Sequence, residues 1–125
     1  MQRVFKTRFF CRWMRKTALT DELLCLAVQE MQKGLIDADL GAGVLKKRVA
    51  VPGRGKRGGT RTLVATNKDT RWLFLFGFEK KARANIRAEE KEALQALAQD
   101  WLARSNAELD QALATGALEE ICREH

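Results

Sequence analysis

The hydrophobic positions at the start of the chain change from strand spacing to helical spacing. Residues 2–7 have an apolar centre at Val4 and Phe5, which predicts a short strand. Residues 8–16 predict a short amphipathic helix, because apolar side chains recur at helical spacing and the other face is basic. A second helix follows, with Thr20 as its N-cap and an apolar stripe along one side. The stripe consists of Leu23, Leu24, Ala27, Val28 and Met31.

Three β-rich segments in the middle of the chain predict an antiparallel meander. Residues 45–51 alternate with a period of about two, and residues 60–66 form the second strand. Residues 71–78 form the third strand, whose centre is apolar on both faces, so we expect a central strand covered by helices on at least one side. The glycine- and aspartate-rich residues 37–43 before the meander predict a loop.

The C-terminal third is helical in its pattern. Residues 88–103 predict an amphipathic helix with acidic residues at its N-terminus, which suits the helix dipole. Ser105 caps a shorter helix that Gly116 ends, and residues 118–122 predict one further helical turn.

Composition and charge indicate one globular domain with an unevenly distributed charge. The chain has 125 residues and a net charge of +7. Residues 1–85 are strongly basic, whereas residues 86–125 are acidic. We therefore expect the body, rather than the tail, to contact a polyanion.

Cysteine and histidine usage argues against a metal site and against a secreted protein. The chain has three cysteines, Cys11, Cys25 and Cys122, at spacings that match no zinc or redox motif. We interpret them as buried free thiols in a reducing cytosol. The only histidine is His125. Neither a signal peptide nor an apolar run long enough for a bilayer is evident, so the prediction is a cytoplasmic protein without metal, cofactor or membrane contact.

A cationic hairpin over residues 45–61 is the strongest functional signal. No Asp or Glu occurs from Leu40 to Lys68. Glycines at positions 53, 55, 58 and 59 would let the tip approach a phosphate backbone closely, since they have no Cβ atom. A polyanion is therefore the expected partner of the hairpin. Its seven cations are Lys46, Lys47, Arg48, Arg54, Lys56, Arg57 and Arg61.

The glycine-rich hairpin tip partly matches two nucleotide-binding motifs. The spacing Gly53-x-Gly55-x-x-Gly58 matches a dinucleotide-binding motif, but that motif must precede a helix, and here a strand follows. A phosphate-binding P-loop lacks its Gly-Lys-Ser or Gly-Lys-Thr. A solvated basic turn without any ligand remains open.

The aromatic residues divide into core candidates and one candidate contact. Helix or strand spacing favours the core for Trp13, Trp72, Phe74 and Phe76. Phe78 ends its strand beside Gly77, where a half-exposed ring could stack on a base.

The order of elements and two motifs resemble a known family. The motifs are Val44-Leu-Lys-Lys-Arg-Val-Ala-x-Pro-Gly-x-Gly-Lys-x-Gly-Gly-x-Arg61 and Phe76-Gly-Phe-x-Lys80. They resemble the RelE/ParE superfamily of toxins from bacterial type II toxin–antitoxin systems, in its HigB-like branch. The resemblance covers residues 4–102.

The resemblance implies an α+β fold. Two N-terminal helices and a C-terminal helix would pack on one face of a small curved antiparallel sheet. We therefore expect a RelE-like toxin domain over residues 1–103. Residues 104–125 would be a helical extension rather than a separate domain.

The resemblance also implies metal-independent cleavage of mRNA in the ribosomal A site. The mRNA 2′-hydroxyl would attack the adjacent phosphate, and a neighbouring gene would encode an antitoxin, often a helix-turn-helix DNA-binding protein. The expected catalytic residues are Arg61, Lys80 and Lys56. The expected RNA and ribosome contacts are Lys46, Lys47, Arg48, Arg54, Arg57, Phe78 and Lys81.

The general base and the exact activity stay open at the level of sequence. The chain has no tyrosine, His125 is terminal, and Glu79 is the acidic residue in the right region. A lysine with a depressed pKa, or positioning and charge alone, could serve instead. The alternative functions are a non-catalytic, ParE-like gyrase inhibitor and a basic nucleic-acid-binding module.

Overall fold

In the part of the chain that the structure describes, six strands form a mixed sheet, and four helices pack on its two faces. The structure is a computed structural model and describes residues 2–51, 53 and 59–123. The strands are β1 (Arg3–Thr7), β2 (Ala38–Asp39), β3 (Val44–Val49), β4 (Thr60–Thr66), β5 (Arg71–Glu79) and β6 (Leu118–Ile121). The helices are α1 (Arg8–Met14), α2 (Asp21–Gln32), α3 (Ala88–Ala103) and α4 (Asn106–Thr115).

The sheet order is β2-β3-β4-β5-β1-β6. The predicted antiparallel meander is confirmed for β3, β4 and β5. The expectation of a wholly antiparallel sheet is wrong, because β1 pairs with β5 in parallel, with Val4 opposite Trp72. The long excursion through α1, α2 and the hairpin returns the chain beside β1 in the same direction, and crossovers of that length are what parallel pairs require.

Helices cover both faces of the sheet, so the expectation that they share one face is also wrong. One core contains Phe10 of α1, Leu24 of α2 and Phe74 of β5. The other core contains Leu75 of β5 and residues of α3 and α4, including Ala98. Because successive residues of a strand point to opposite faces, a central strand that is apolar throughout requires cover on each side.

The C-terminal residues add an edge strand instead of the predicted helical turn. Ser105 caps α4, and Gly116 ends it with φ +82°, as expected. Residues 118–121 then pair antiparallel with β1, where Thr7 lies opposite Leu118. The free edge of β1 offers unpaired backbone groups, and their hydrogen bonds outweigh a weak local helical pattern. Similarly, the predicted loop over residues 37–43 contains the short strand β2, paired with β3.

A disulfide joins Cys25 of α2 to Cys122, with the two Cα atoms 5.6 Å apart. The prediction of free thiols is therefore wrong for these two residues. They are 97 positions apart, and only the addition of β6 to the sheet brings them together. Cys11 is free and half-buried, and burial raises the pKa of its thiol.

The glycine at position 77 is required by the packing of α1 on the end of β5. A bulge between Leu63 and Val64 of β4 shifts the register, and beyond it Gly77 lies under the Trp13 ring. A Cβ atom at Gly77 would lie 2.2 Å from Trp13 Cζ3.

We expect Gly77→Ala to lower the free energy of unfolding by about 1–3 kcal/mol, because the indole must move out of a packed position. Urea unfolding followed by circular dichroism measures this change. Gly77→Ala should cost less free energy of unfolding when Trp13 is replaced by leucine. The difference between Trp13→Leu/Gly77→Ala and Trp13→Leu should therefore be smaller than the difference between Gly77→Ala and the natural sequence. An unchanged midpoint for Gly77→Ala would contradict the contact.

Candidate functional site

The pairing of β3 with β4 places two arginines side by side on the α3 face of the sheet. Arg48 lies directly opposite Arg61, and Arg61 lies opposite Phe78 on the next strand. Phe78 and Leu63 belong to the core under α3, and Lys46 lies opposite Leu63. Since directly paired residues point to the same side, Lys46, Arg48 and Arg61 share one face. The predicted alternation of the hairpin is thereby confirmed.

The backbone of Gly59 allows both guanidinium groups to approach it closely. A Cβ atom at this position would lie 2.6 Å from Arg48 Nε and 3.0 Å from Arg61 Nη1. Arg61 Nη1 also donates a hydrogen bond to the Gly59 carbonyl oxygen at 3.3 Å. Any other residue at position 59 would displace the two arginines.

The two guanidinium groups have no ion-pair partner within the described part of the chain, although the Asp37 carboxylate accepts a hydrogen bond from the Arg48 backbone N–H. Neither Arg48 nor Arg61 makes an ion pair there, and Arg48 Nε is buried without a hydrogen-bond partner. Like charges directly opposite each other across two strands destabilise a sheet. An anion bound between the guanidinium groups would remove this cost and satisfy their donors.

Lys47 lies on the opposite face and has a structural role. Its Nζ is 3.0 Å from Glu30 Oε1 and donates a hydrogen bond to the Leu35 carbonyl oxygen at 2.8 Å. The residue is only 7% exposed. The sequence-based assignment of Lys47 as an RNA contact is therefore corrected, since its ammonium group is held by the end of α2.

Lys46 and Lys47 form a matched pair for testing this assignment. We expect Lys46→Gln to reduce the slope of log affinity against log salt for RNA by about one, because one phosphate contact is lost. Lys47→Gln should leave the slope unchanged and lower thermal stability instead, since Glu30 loses its partner. Equal changes in slope for the two variants would contradict the separation of faces. Filter binding at several salt concentrations, with melting curves, measures both effects.

Phe78 packs in the core beneath the face that carries Lys46, Arg48 and Arg61, here called the cationic face. Its ring is not available for stacking. The residue is 4% exposed, so the expectation of a half-exposed ring is wrong. Arg83 covers the ring, with its guanidinium carbon 5.6 Å from the ring centroid. Glu90 holds Arg83 in place, and the hydrogen bonds from Arg83, followed by that from the Arg87 backbone N–H, lower the pKa of Glu90 to about 2.

The exposed ring near this end of the molecule belongs to Phe9. Phe9 is 58% exposed, and it stacks on Phe76 with ring centroids 5.9 Å apart. Phe9 and Phe10 both fit the helical spacing of apolar residues over positions 8–16, so that spacing alone does not separate them. Only the placement of α1 at the side of β5 distinguishes the two rings.

The lysines after β5 lie at the same end of the sheet as Arg61. Thr60 pairs with Glu79 as the last pair of β4 and β5, and the exposed residues Lys80 and Lys81 follow in the turn. Glu79 pairs with Thr60, and Thr60 pairs with Val49, which is buried in the first core under α1. Since paired residues point to the same side, the side chain of Glu79 points to the α1 side of the sheet. The carboxylate of Glu79 is therefore on the other face from Arg48 and Arg61. Arg54, Lys56 and Arg57 lie outside the described residues.

The described residues were also compared with the geometry of metal sites and of membrane-spanning helices. In that part of the chain, no group of three or more His, Cys, Asp or Glu residues is arranged to hold a metal ion. Among the helices described, none has the length and apolarity needed to cross a bilayer.

Comparison with known proteins identifies the family. No curated protein matches the chain. The family model of the RelE toxin of the RelE/RelB toxin–antitoxin system matches residues 2–121. The matched region extends from β1 to β6 and therefore includes α4 and the cationic hairpin. The chain belongs to the RelE toxin family.

Proposed function

We propose that this toxin stops translation by cleaving mRNA bound to the ribosome. Members of the RelE family are toxins of toxin–antitoxin systems, and they generally inhibit translation as ribosome-dependent endoribonucleases. The finer placement in the HigB-like branch, the metal-independent mechanism and action in the cytoplasm are part of this proposal.

One observation supports the proposal most strongly, namely that Arg48 and Arg61 lie directly opposite each other and neither forms an ion pair with a described residue. Attack on a phosphodiester passes through a phosphorane whose equatorial oxygens gain negative charge. Two fixed guanidinium groups stabilise that charge without reorganising, which is the basis of electrostatic catalysis. Each guanidinium can also grip two phosphate oxygens at once.

We assign roles by position relative to this pair. Arg61 and Arg48 bind the scissile phosphate, and Lys80, in the adjacent turn, donates a proton to the leaving 5′-oxygen. Lys56 remains a proposed catalytic residue of the loop. The proposed contacts to the RNA backbone are Lys46, Lys81, Arg54 and Arg57. Lys47 and Phe78 have structural roles and are not proposed as RNA contacts.

The reaction is an internal transesterification. The 2′-hydroxyl oxygen bonds to the adjacent phosphorus and releases its proton to the surrounding water. At the same time the bond from phosphorus to the 5′-oxygen breaks, and that oxygen takes a proton from Lys80. The products are a 2′,3′-cyclic phosphate and a free 5′-hydroxyl. Arginine and lysine supply the positive charge that a metal supplies in other nucleases.

The base is not assigned to a carboxylate. Glu79 lies on the opposite face, and Glu90, with a pKa of about 2, is a weak base. We propose instead that the ribosome aligns the 2′-hydroxyl for attack, so that positioning and charge contribute most of the rate.

The partner of the toxin is an antitoxin, as membership of the family implies. We propose that it is a helix-turn-helix protein encoded beside the toxin. It would neutralise the toxin by covering the cationic face or by holding a neighbouring helix displaced.

Brief induction in bacteria followed by primer extension on cellular mRNA tests the proposed activity. We expect new 5′ ends within translated reading frames, and none when Arg61→Ala is induced to the same level. Growth arrest without new mRNA ends, accompanied by altered plasmid supercoiling, would contradict the proposal and indicate a gyrase inhibitor.

A further inference from the structure

The last strand of the sheet is held to the second helix by a covalent bond. β6 forms one edge of the sheet, and in the described part of the chain its neighbouring strand is β1 alone. An edge strand of 4 residues opens easily, because few hydrogen bonds must break. Cys122 directly follows β6, and its disulfide with Cys25 of α2 restrains this opening.

An ion-pair bridge joins the same two elements through Lys6 of β1. Its Nζ lies 2.7 Å from Asp21 Oδ1 at the start of α2 and 2.8 Å from Glu119 Oε2 in β6. Lys6 is only 6% exposed, whereas the two carboxylate side chains reach solvent. The disulfide and the ion-pair bridge are together called the clasp here. Dissolved salt screens only the second of these two ties.

The backbone at Cys122 favours release of the strand once the cross-link is open. Its φ is +62°, in the left-handed region that residues with a Cβ atom rarely adopt. Reduction frees this residue to return to a common backbone conformation. Cys25 and Cys122 are both half-buried and pack at the border of the first core, so the cross-link lies near the protein surface.

A cross-link of this kind is unusual in the compartment proposed for the toxin. Reductants in the cytoplasm keep thiols reduced, and disulfides that form there are usually transient, catalytic or redox-sensing. This cross-link is remote from the candidate site, because β5 and β1 separate β6 from β4. A regulatory role therefore fits its position better than a catalytic one.

We propose that the clasp is a redox-responsive site on which dithiol reductants act. While the disulfide is closed, β6 stays on β1. Once it is open, only non-covalent contacts hold the strand, among them the ion-pair bridge and the packing of Leu118 and Ile121. β6 then leaves the sheet more often and becomes accessible to proteases. The inference rests on the proposed function for the cytoplasmic setting in which such reductants act.

The opening reaction is a thiol–disulfide exchange. A thiolate of the reductant attacks one sulfur of the cross-link, forms a mixed disulfide and releases the other cysteine as a thiolate. The second thiol of the reductant loses its proton, attacks the mixed disulfide and releases the remaining cysteine thiolate. Each released thiolate takes up one proton, and the reductant gives up two. The protein disulfide is thus reduced to two thiols while the dithiol is oxidised to a disulfide.

Hydrogen exchange of the folded protein, with and without dithiothreitol, tests the clasp. The background is Cys11→Ser, which leaves only the two cysteines of the clasp. We expect reduction to raise the exchange rate of the β6 amides about a hundredfold or more and to leave β3 and β4 unchanged. The further change Cys25→Ser/Cys122→Ser should give the fast rate with or without reductant. Equal β6 exchange in both redox states, or a cross-link that dithiothreitol reduces only in denaturant, would overturn the inference.

A glutamate-specific protease provides a second readout, because β6 contains Glu119 and Glu120. The strand must leave the sheet before its peptide bonds fit a protease, so cleavage at these residues reports the open population. We expect cleavage there to be about tenfold or more faster in the reduced protein. Cleavage of β6 at the same rate in both redox states would show that the disulfide does not control access.

Glu119→Gln tests the ionic part of the clasp. In the reduced protein it should raise the β6 exchange rate about threefold, because an ion pair with Lys6 is lost. In the oxidised protein it should change this rate little, since the disulfide still holds the strand. The control Glu92→Gln removes an exposed carboxylate of α3 and should have no effect in either state. An equal effect of Glu119→Gln in both states would contradict two ties acting on the same opening.

Cleavage on programmed ribosomes separates this inference from the proposed function. The oxidised and reduced proteins should cleave mRNA at equal rates, because β6 is remote from Arg48 and Arg61. Normal cleavage with β6 exchange that ignores the redox state would overturn the inference and leave the proposed function intact. Redox-dependent β6 exchange without mRNA cleavage in either state would overturn the proposed function and leave the redox response of the clasp intact.

Discussion

Replacing Arg61 by alanine is expected to lower the single-turnover rate of mRNA cleavage on programmed ribosomes by a factor of about one hundred or more. The guanidinium lies at the start of β4, held against Gly59 and opposite Arg48. A charge fixed on a packed sheet meets the phosphorane without reorganisation, and its loss removes stabilisation that exists mainly in the transition state. Toxin in excess over ribosomes ensures that the measured rate is that of the bound complex.

The same variant should fold at least as stably as the natural sequence. Removing one of two opposed like charges leaves the free energy of unfolding unchanged or raises it by up to about 1 kcal/mol. Arg61→Lys keeps the charge but loses the bidentate contact with the phosphate. Its cleavage rate should therefore lie between those of the natural sequence and of Arg61→Ala. Lys91→Ala is the control for loss of an exposed cation. A folded Arg61→Ala protein that cleaves at the full rate would show that the phosphate binds elsewhere.

Breaking the disulfide is expected to lower the free energy of unfolding by about 4–5 kcal/mol. The cross-link between Cys25 and Cys122 closes a loop of 97 residues, and long loops lose the most conformational entropy in the unfolded chain. The loss is large against the roughly 5–15 kcal/mol that stabilise an ordinary domain. It should affect β6 first, because this edge strand pairs only with β1.

Urea unfolding of Cys25→Ser/Cys122→Ser and of the oxidised protein, with and without reductant, measures this contribution. The oxidised protein should show one reactive thiol, Cys11, after denaturation. Cys11→Ser is the matched control and should change the midpoint little. Identical midpoints with and without reductant would contradict a stabilising role for the cross-link.

Local elements of the fold were predictable from the sequence because their signals are local. The bounds of β4 and α3 match the predicted residues 60–66 and 88–103. Thr20 and Ser105 accept the capping hydrogen bonds expected of them. Period, caps and glycine positions act over a few residues, which is the range that a single sequence reveals.

The pairings that join distant segments were not predictable in this way. Insertion of β1 beside β5, addition of β6 and the disulfide all join residues about 70 to 120 positions apart, and no short-range pattern specifies them. The distribution of helices over two faces follows from the same pairings.

The candidate site was predictable in outline but not in its individual contacts. Alternation along β3 correctly separated Arg48 from Lys47. Their different environments depend on α2, which supplies Glu30 to one face, and on Gly59, which lies between the arginines on the other. The burial of Phe78 depends on Arg83, whose position is set by an ion pair with Glu90 in α3.

Incubating purified toxin with one mRNA, either naked or bound in ribosomes, tests directly whether the toxin is a ribosome-dependent endoribonuclease. We expect efficient cleavage only on the ribosome, with a 2′,3′-cyclic phosphate on the upstream fragment and a 5′-hydroxyl on the downstream fragment. Mass spectrometry of the fragments identifies both ends. Equal cleavage of naked RNA, or intact mRNA on ribosomes that have bound the toxin, would contradict ribosome-dependent cleavage.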